Sequence, residues 1–411
     1  DALQGLDKNL RQTLSALPLS QLSQMGQSGQ AQSFKTIGDY LSSMENGQSI
    51  IENIPPQYQD ELLGTSLESR PGIDQEAVGH IIMVLIVLIL LGAILGYLQN
   101  FLMSGVAQKV SYQLRDQINE GKQIGPRILA GNMAISVPGG HMAGSLAYAV
   151  TSPEEARQRV KDIAATKADL IKLMITGGVL DAVKKGEPGV LKMDPAIIRA
   201  ACDQAHALGL KVAAHVESPE GVKAALENGV DTIEHGAMPD AEMLELFRTH
   251  GASLVTTISP TLSFALFDQS VSHATDMQKY NGRIVMDGIV GCAKACLEAG
   301  IPVGLGTDTA CPYVTQYGTW RELTYLRRFC GVSNTQALHI ATLASARIAG
   351  VEKETGSIEA GKSADMLVCR ENPLNNLAAL RQLSSVIFRG KCYTPKVKPI
   401  PQVEQELDNY L

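Results

Sequence analysis

The chain has 411 residues, of which 45% are hydrophobic and 19% charged, so it can bury a large core and is not globally disordered. Its net charge of −7 argues against a nucleic-acid-binding protein that works through a basic surface. Seven cysteines are too few for a disulfide scaffold and lack paired metal-ligand spacing, which indicates reduced thiols. The length predicts two or three domains, or one barrel with an appendage.

The first 80 residues differ in composition from the rest of the chain. They are rich in Gln and Ser and hold four Lys or Arg against ten Asp or Glu. Leu10, Leu14, Leu17 and Leu22 are spaced as on one face of a helix. We therefore expect short, exposed and partly ordered helices in this region.

An uncharged apolar segment of 18 residues follows, from Ile81 to Leu98, and further apolar residues extend it to Met103. About 20 such residues span the hydrocarbon core of a membrane, whereas the alternative is a buried core helix. The preceding flank is acidic, and basic residues follow at Lys109, Arg115, Lys122 and Arg127. The pattern predicts a transmembrane helix at 81–103, with the N-terminus outside and the remainder in the cytoplasm.

The segment LQNFLMSGVAQKVSYQLRDQINE, Leu98 to Glu120, resembles the second membrane helix of an ABC exporter running into its cytoplasmic extension. The resemblance implies that residues 1–76 form an external loop and that residues 1–120 are a helical exporter-like fragment. A membrane-domain fragment of a transporter is therefore an alternative function for the chain.

A nucleotide-binding motif is matched but rejected. Gly356 to Ser363, GSIEAGKS, fits the Walker A pattern. A P-loop needs a buried strand before it and a helix after it. Here a polar segment precedes the match, and a predicted short strand, Asp365–Cys369, follows it. We therefore exclude an ATP-driven transporter.

From about residue 121, short β-branched segments alternate with helical patterns. The candidate strands are Arg127–Gly131, Leu170–Met174, Lys211–His215, Thr232–His235, Ser253–Ile258 and Val303–Thr307. In the clearest unit, Ser218 caps a helix at its start, Pro219 occupies the first turn and Gly229 caps its end. Repeated β/α units predict a parallel barrel with its active site at the carboxyl ends of the strands. An open doubly wound sheet is the alternative.

Four residues at predicted strand ends carry the chemistry: Lys172, His215, His235 and Asp308. Neutral imidazoles and anionic oxygens from different strands suit a divalent metal. A buried lysine favours its neutral amine, which can add CO2 to become an anionic carbamate. Taken singly, the histidines could be structural, the lysine a surface residue and the aspartate a helix cap. Together they predict a metal site in which Asp308 moves a proton.

Several motifs resemble the amidohydrolase superfamily, and especially its imidazolonepropionase-like and Xaa-Pro dipeptidase-like branches. They are GPRILAGNMAISVPGGH, DLIKLMITGG, VAAHVESPEGVKAALENGVDTIEHGA, PVGLGTDT and GSIEAGKSADMLV. The likeness covers residues 114–393 and implies a (β/α)8 TIM-type barrel with a small β-sandwich.

The resemblance also implies roles for individual residues. Lys172 matches the carboxylated bridging lysine, His215 and His235 the metal histidines, and Asp308 the catalytic aspartate that also contacts metal. His141 matches a position that lines the substrate pocket. The implied cofactor is one or two divalent ions, with zinc expected.

The chain departs from that family at its start. No His-x-His pair occurs anywhere in the sequence, although members carry one at the end of the first strand. The first half of the sandwich and the first two barrel strands are also absent. We infer a junction between Leu114 and Gly121; a fused gene, a sequence-assembly error and a designed fusion would each give this arrangement.

The sequence therefore predicts an α/β protein with three parts: a helical segment (1–120), an incomplete barrel (121–350), and sandwich strands with a tail (351–411). We expect a metal-dependent hydrolase of amide-type bonds in small-molecule or peptide-like substrates, weakened by the missing histidines. A non-functional fusion is the remaining alternative. The loops Gly186–Met193 and Ala310–Tyr317, including Tyr313, are expected to shape the pocket. A homo-oligomer is also expected.

Overall fold

The computed structural model describes residues 36–64 and 75–411. The chain divides into two compact units with the boundary between Ala93 and Ile94. In the first unit, three short helices follow one another: α1 (Ile37–Ser42), α2 (Gly47–Glu52) and α3 (Pro56–Leu63). Short helices were predicted here, whereas the leucine pattern at positions 10–22 lies outside the described residues.

The helix α4 is the longest in the described chain and runs from Gln75 to Asn119. Its part from Glu76 to Gly96 is long and apolar enough to cross a membrane, and its most apolar window is entirely exposed. Length and composition show no more than that, so membrane insertion stays a prediction. Near its end, Arg115 donates hydrogen bonds to the Lys167 carbonyl oxygen (2.7 Å) and to Asp169 (2.9 Å).

Seven parallel strands form the central sheet of the second unit, in the order β2-β1-β3-β4-β5-β6-β7. They are β1 (Ala134–Ser136), β2 (Ala147–Ala149), β3 (Leu170–Met174), β4 (Lys211–Val216), β5 (Thr232–His235), β6 (Ser253–Thr256) and β7 (Val303–Leu305). The register sets Met174 opposite His215, and Val216 opposite His235. The carboxyl ends of these strands therefore share one edge of the sheet.

The predicted strand at Arg127–Gly131 is wrong. This segment belongs to no strand, because its polar groups bind elsewhere: the Ala130 N–H donates to the Asp169 carboxylate at 2.8 Å. Arg127 forms ion pairs with Glu354 and Asp365. The first strands are instead β1 and β2, which were not predicted.

The barrel is incomplete, as expected. Among the described residues, no ladder joins the outer strands β2 and β7, so the sheet has two open parallel edges. A cavity of about 540 Å³ opens on its inner face and is lined by residues near the amino ends of the strands, such as Leu170, Ala213 and Thr232. In a closed barrel this space is filled by side chains from all eight strands.

Helices alternate with the strands and follow them, and most of these helices contribute apolar residues to the core. They are α5 (Pro153–Ala165), α6 (Pro195–Ala207), α7 (Pro219–Glu227), α8 (Ala241–His250), α9 (Thr261–Ala265), α10 (Gln269–Ser272), α11 (Asp276–Glu298), α12 (Thr319–Tyr325), α13 (Asn334–His339) and α14 (Ser345–Ala349). Ser218 caps α7 as predicted, by accepting a hydrogen bond from the Gly221 N–H. The C-cap is Asn228, not Gly229, which follows it with φ +93°.

The C-terminal region forms a separate antiparallel sheet in the order β10-β9-β8 and a final helix. Its elements are β8 (Met366–Cys369), β9 (Leu383–Phe388), β10 (Lys391–Tyr393) and α15 (Pro401–Asp408). Leu367 is 55% exposed, which fits the remnant of a sandwich. The strand β8 follows GSIEAGKS directly, so no helix stands where a P-loop requires one. The predicted tail instead contains α15, which Arg321 holds through Glu404 (3.0 Å) and Asp408 (2.6 Å).

Candidate metal and catalytic site

A cavity of about 330 Å³ opens at the carboxyl ends of the central strands. All four predicted metal-site residues line it, and so does His141: the structure brings together Lys172, His215, His235 and Asp308. They come from β3, from β4, from β5 and from the loop after β7. The convergence follows from the parallel sheet, in which strand ends share one edge.

Lys172 lies on the inner face of β3, between the two cavities of the sheet. Burial lowers the pKa of its ammonium group, although the carboxylates of Glu234 and Asp308 oppose this shift. The neutral amine form of Lys172 is therefore more populated than that of a surface lysine.

Both strand-end histidines are buried, each with 6% exposure. The Nε2–H of His215 donates to the Gly177 carbonyl oxygen at 3.2 Å, which leaves Nδ1 free for a ligand. His235 Nδ1 lies 2.6 Å from the Thr257 hydroxyl, which leaves Nε2 free. Burial lowers the pKa of His215 well below its ordinary value and that of His235 to about 3. Both imidazoles are therefore neutral at neutral pH, as a metal requires.

Glu217 is a site residue that the sequence analysis did not single out. It follows β4 directly, and its carboxylate groups with His215 and His235, so that one ligand atom from each lies within 4.8 Å of the others. Burial raises the pKa of Glu217 to about 8, and the nearby Asp308 and Asp181 add to this. The signal that could have found it is its position two residues after a strand-end histidine.

Asp308 is exposed to the cavity mouth and has a strained backbone, with φ +52°. The Cys311 thiol donates to its carboxylate at 3.3 Å, and burial raises the pKa of that thiol to about 12. His235 also lies in the left-handed region, with φ +71°. Non-glycine residues held there cost on the order of 1–3 kcal/mol each and cluster at functional sites.

His141 stacks on His215, with ring centroids 4.3 Å apart and planes within 5°. Its Nδ1 is paired with the carboxylate of Asp181, another residue that the sequence analysis missed. This pairing fixes the orientation of the imidazole at one side of the cavity.

The two loops expected to shape the pocket contribute little to its lining. Of residues 310–317, Cys311 lines the cavity, whereas Tyr313 donates its hydroxyl to the Val271 carbonyl oxygen at 3.0 Å. Residues 186–193 do not line the cavity; Gly186 binds Asn281 instead. The lining of the cavity also includes apolar side chains, such as Phe264, Val285 and Ile289.

Residues 103–392 match the model of the amidohydrolase family. A Bifidobacterium longum protein named as a prolidase has a solved structure that shares 41% identity, with a TM-score of 0.68, over 72% of this chain and 74% of that one. A Xaa-Pro dipeptidase with methionine bound in its active site shares 31% identity, with a TM-score of 0.62, over 70% and 72%. Ochratoxinase from Aspergillus niger is 26% identical over 302 residues, which are 66% of this chain and 61% of that protein.

The chain thus spans about three-fifths of the length of that curated relative. The family match begins inside α4, so it includes part of the segment that resembles an exporter. The exporter resemblance of residues 1–120 receives no support from these comparisons and stays a prediction, as does a homo-oligomer. Because the family model matches more than half of the chain, and solved relatives share the fold, the chain belongs to the amidohydrolase family.

Proposed function

We propose that this chain hydrolyses amide-type bonds of small, dipeptide-like substrates with a divalent metal ion bound at the strand ends. The observation that carries the proposal is the convergence of two buried neutral imidazoles, a half-buried carboxyl group and a half-buried lysine on one cavity. We expect the activity to be weak, because no His-x-His pair is present in the sequence to hold a second ion.

The residues present fit a metal ion. The free nitrogens of His215 and His235 would be two of its ligands. The third would be an anionic oxygen, which either Glu217 or a carboxylated Lys172 would supply. The Lys172 amine would add CO2 and release a proton to become a carbamate. Two imidazoles with one anionic oxygen are a typical set for zinc. A divalent ion held there would supply Lewis acidity, which lowers the pKa of a water molecule and polarises the scissile carbonyl.

Asp308 is the proton carrier in this proposal. Its carboxylate lies at the cavity mouth, where it would accept a proton from the attacking water and deliver it to the leaving nitrogen. His141, held by Asp181 and stacked on His215, would contact the substrate beside the scissile bond. These contacts fix the side chain of His141, so little conformational entropy is lost when the substrate binds.

The size of the cavity and the apolar residues in its lining favour a small substrate with an apolar side chain. A volume of about 330 Å³ is at the lower end for ligand pockets. Two of the solved relatives carry the names prolidase and Xaa-Pro dipeptidase, so a Xaa-Pro dipeptide is the first substrate to test.

The test compares purified chains supplied with Zn2+, Mn2+ or Co2+ and a panel of Xaa-Pro dipeptides. Amine release is expected from the unaltered chain and is lost in His215→Ala and Asp308→Asn. The matched control is His250→Ala, which removes an exposed imidazole at the end of α8 and leaves the rate unchanged. Equal rates in all four proteins would refute the proposal.

We also propose that the exposed apolar part of α4 anchors the chain in a membrane, with the hydrolase in the cytoplasm. The support is the exposure of the whole apolar window from Glu76 to Gly96. In vesicle flotation, the full chain should rise with the lipid, and a chain carrying Leu88→Arg and Leu91→Arg should not. Recovery of the unaltered chain in the unbound fraction would refute anchoring.

A further inference from the structure

Three aromatic rings connect the segment after α15 to the loop that carries Asp308. The ring of Tyr410 stacks on the ring of Phe267, with centroids 5.1 Å apart and 16° between the planes. Phe267 in turn contacts Tyr313, in the Asp308 loop (residues 308–317), edge to face with centroids 4.8 Å apart. These three rings, the aromatic bridge, therefore join Tyr410 to the Asp308 loop.

The central ring of the aromatic bridge is held rigidly. Phe267 is completely buried. Its backbone N–H donates to the Leu262 carbonyl oxygen at 3.1 Å, and its carbonyl oxygen accepts a hydrogen bond from the Lys279 ammonium group. Because side chains in a protein interior interdigitate with few voids, Phe267 confines the ring of Tyr313 as long as Tyr410 fills the space beside it.

The segment that begins at Ile400 also holds the end of the Asp308 loop. The Ile400 N–H, at the start of α15, donates to the Tyr317 hydroxyl oxygen at 2.8 Å. The segment therefore reaches the loop at two places, directly at Tyr317 and through the aromatic bridge at Tyr313. Two points of attachment restrict a loop more than one, because each removes part of its conformational freedom.

The backbone of the Asp308 loop needs support of this kind. φ is +52° at Asp308, +92° at Ala310 and +65° at Tyr313. Non-glycine residues keep such values only where the surrounding structure over-determines them. Within the loop, the Cys311 N–H donates to the Asp308 carbonyl oxygen at 3.2 Å, and the Val314 N–H donates to the Cys311 carbonyl oxygen at 3.0 Å. These bonds link Asp308 to the neighbour of Tyr313, so a shift of Tyr313 reaches the backbone of Asp308.

We propose that the aromatic bridge positions the proton carrier: Tyr410 and Phe267 hold Tyr313 in place, and the loop then keeps the Asp308 carboxylate at the cavity. The inference rests on the proposed hydrolase function and deepens it, because it gives the segment after α15 a part in orienting Asp308. None of the three bridge residues lines the cavity, so they are positioning residues and do not contact the substrate. Tyr313 thus acts on the reaction through its loop.

The first test measures the loop itself and needs no activity. Amide hydrogen exchange of the full chain is followed by mass spectrometry on peptides that cover residues 306–318. Tyr410→Leu keeps an apolar side chain but removes the stacked ring, and it should speed exchange in these peptides about tenfold. Tyr410→Phe keeps the ring and should stay within about twofold of the unaltered chain.

A double variant tests whether the effect passes through the aromatic bridge. Tyr313→Leu removes the ring at the other end of the bridge and should also speed exchange in residues 306–318. The chain with both Tyr410→Leu and Tyr313→Leu should exchange like Tyr313→Leu alone, because the connection is already cut. Multiplied effects in the double variant would mean that the two rings act independently, and they would overturn the proposal.

The second test measures the reaction. With a Xaa-Pro dipeptide, Tyr410→Leu should lower kcat about tenfold and change KM less than about twofold, because Asp308 acts in the transition state. Tyr410→Phe should restore kcat. Rescue by a ring without the hydroxyl group separates the stacking contact from the weak hydrogen bond of Tyr410, which lies 3.5 Å from the Leu266 carbonyl oxygen.

The control is a truncation in the core outside the aromatic bridge. Val160→Ala shortens a completely buried side chain in α5, a helix that contributes no residue to the bridge or to the Asp308 loop. It should lower the overall stability yet leave kcat and the exchange of residues 306–318 unchanged, since that exchange proceeds by local opening. Circular dichroism of each variant gives the folded fraction by which kcat is corrected.

The outcomes separate the two proposals. If Tyr410→Leu leaves exchange in residues 306–318 unchanged, or raises it equally throughout the chain, the aromatic bridge does not hold the loop and the inference is overturned. Faster exchange with full kcat would overturn the positioning role and leave the hydrolase function intact. If the unaltered chain hydrolyses no dipeptide, the proposed function fails and the catalytic role of the bridge fails with it, while exchange still shows whether the bridge holds the loop.

Discussion

The central strands and the C-terminal sheet bury their apolar residues to very different degrees. In β3, Ile171 and Leu173 are completely buried, and the opposite face of the strand lines the two cavities. In β8, Leu367 is 55% and Val368 42% exposed, so adjacent residues on both faces of that sheet meet solvent. The apolar residues of the central sheet are therefore shielded from solvent, whereas those of the C-terminal sheet are partly in contact with it.

This difference shows why the candidate site can form although the barrel is incomplete. His215 and His235 stand on β4 and β5, in the middle of the sheet and two or more strands away from either open edge. The strands that hold the histidines therefore keep both neighbours, and the ligand geometry does not depend on the exposed flank. The comparison can be tested by matched substitutions in the two regions.

The largest expected effect comes from a pair of leucine truncations. Leu173→Ala should lower the free energy of unfolding by about 2–5 kcal/mol, because it leaves a cavity in a fully buried strand. Leu367→Ala should cost less than about 1 kcal/mol, because much of that side chain is already in water. Urea unfolding followed by the fluorescence of the single tryptophan, Trp320, measures both. Equal losses would mean that the two regions are packed alike.

The next effect concerns the ion pairs that hold the C-terminal helix. The Glu404 carboxylate accepts hydrogen bonds from Arg321 (3.0 Å) and Arg381 (2.7 Å) in a buried position. Glu404→Ala should cost about 3 kcal/mol, because it removes one of the two carboxylates that pair with the buried guanidinium of Arg321 and leaves Asp408 as its carboxylate partner. The same unfolding assay measures it, with the exposed Gln405→Ala as control. A loss below that of the control would show that α15 is held by apolar contacts instead.

The central β/α units could be predicted from sequence because their signals are local. Leu170–Met174 and Thr232–His235 were placed at their observed bounds, since β-branched segments there precede capped helices. Strands β1 and β2 have three residues each, which is too short for any pattern to appear. Arg127–Gly131 looked like a strand, but side chains elsewhere in the chain bind its polar groups.

The candidate site was predictable where a residue type is unusual for its position. A lysine or a histidine at the end of an apolar strand is rare enough to be noticed. Glu217 was not, because an acidic residue between a strand and a Ser-Pro helix start is ordinary in a loop. Its importance depends on burial against Gly178 and Thr176, which are 39 and 41 residues away in sequence and only meet it in the folded protein.

The third effect concerns the carboxyl group of Glu217 in the candidate site and its influence on the stability of the fold. The pKa of Glu217 is about 8 in the folded chain against an ordinary 4.5, so the folded state keeps a proton that the unfolded state releases. The stability of the metal-free chain should therefore fall as pH rises from about 4.5 to about 8. Glu217→Gln removes this loss.

In EDTA, the variant and the unaltered chain should be equally stable near the acid end of that window. Above it the variant should be more stable, by an amount on the order of 1 kcal/mol or more, since one pKa unit corresponds to about 1.4 kcal/mol. Urea unfolding across the pH range measures the gap. A constant gap at every pH would mean that the carboxyl group titrates alike in both states.

The smallest effect compares helix caps in the two regions. Ser218 caps α7 in the central unit by accepting from the Gly221 N–H at 3.2 Å, and Ser218→Ala should cost about 1 kcal/mol. Asn376 makes the same kind of cap, on the Ala378 N–H at 3.0 Å, at the start of the short 3-10 helix Leu377–Arg381 near the C-terminal sheet. Asn376→Ala should cost less than about 0.5 kcal/mol, because a helix of only five residues has less structure that depends on its cap. Thermal unfolding of both variants measures the two losses of stability. If the losses are equal, the difference between the central region and the C-terminal region is confined to their sheets and does not include their helices.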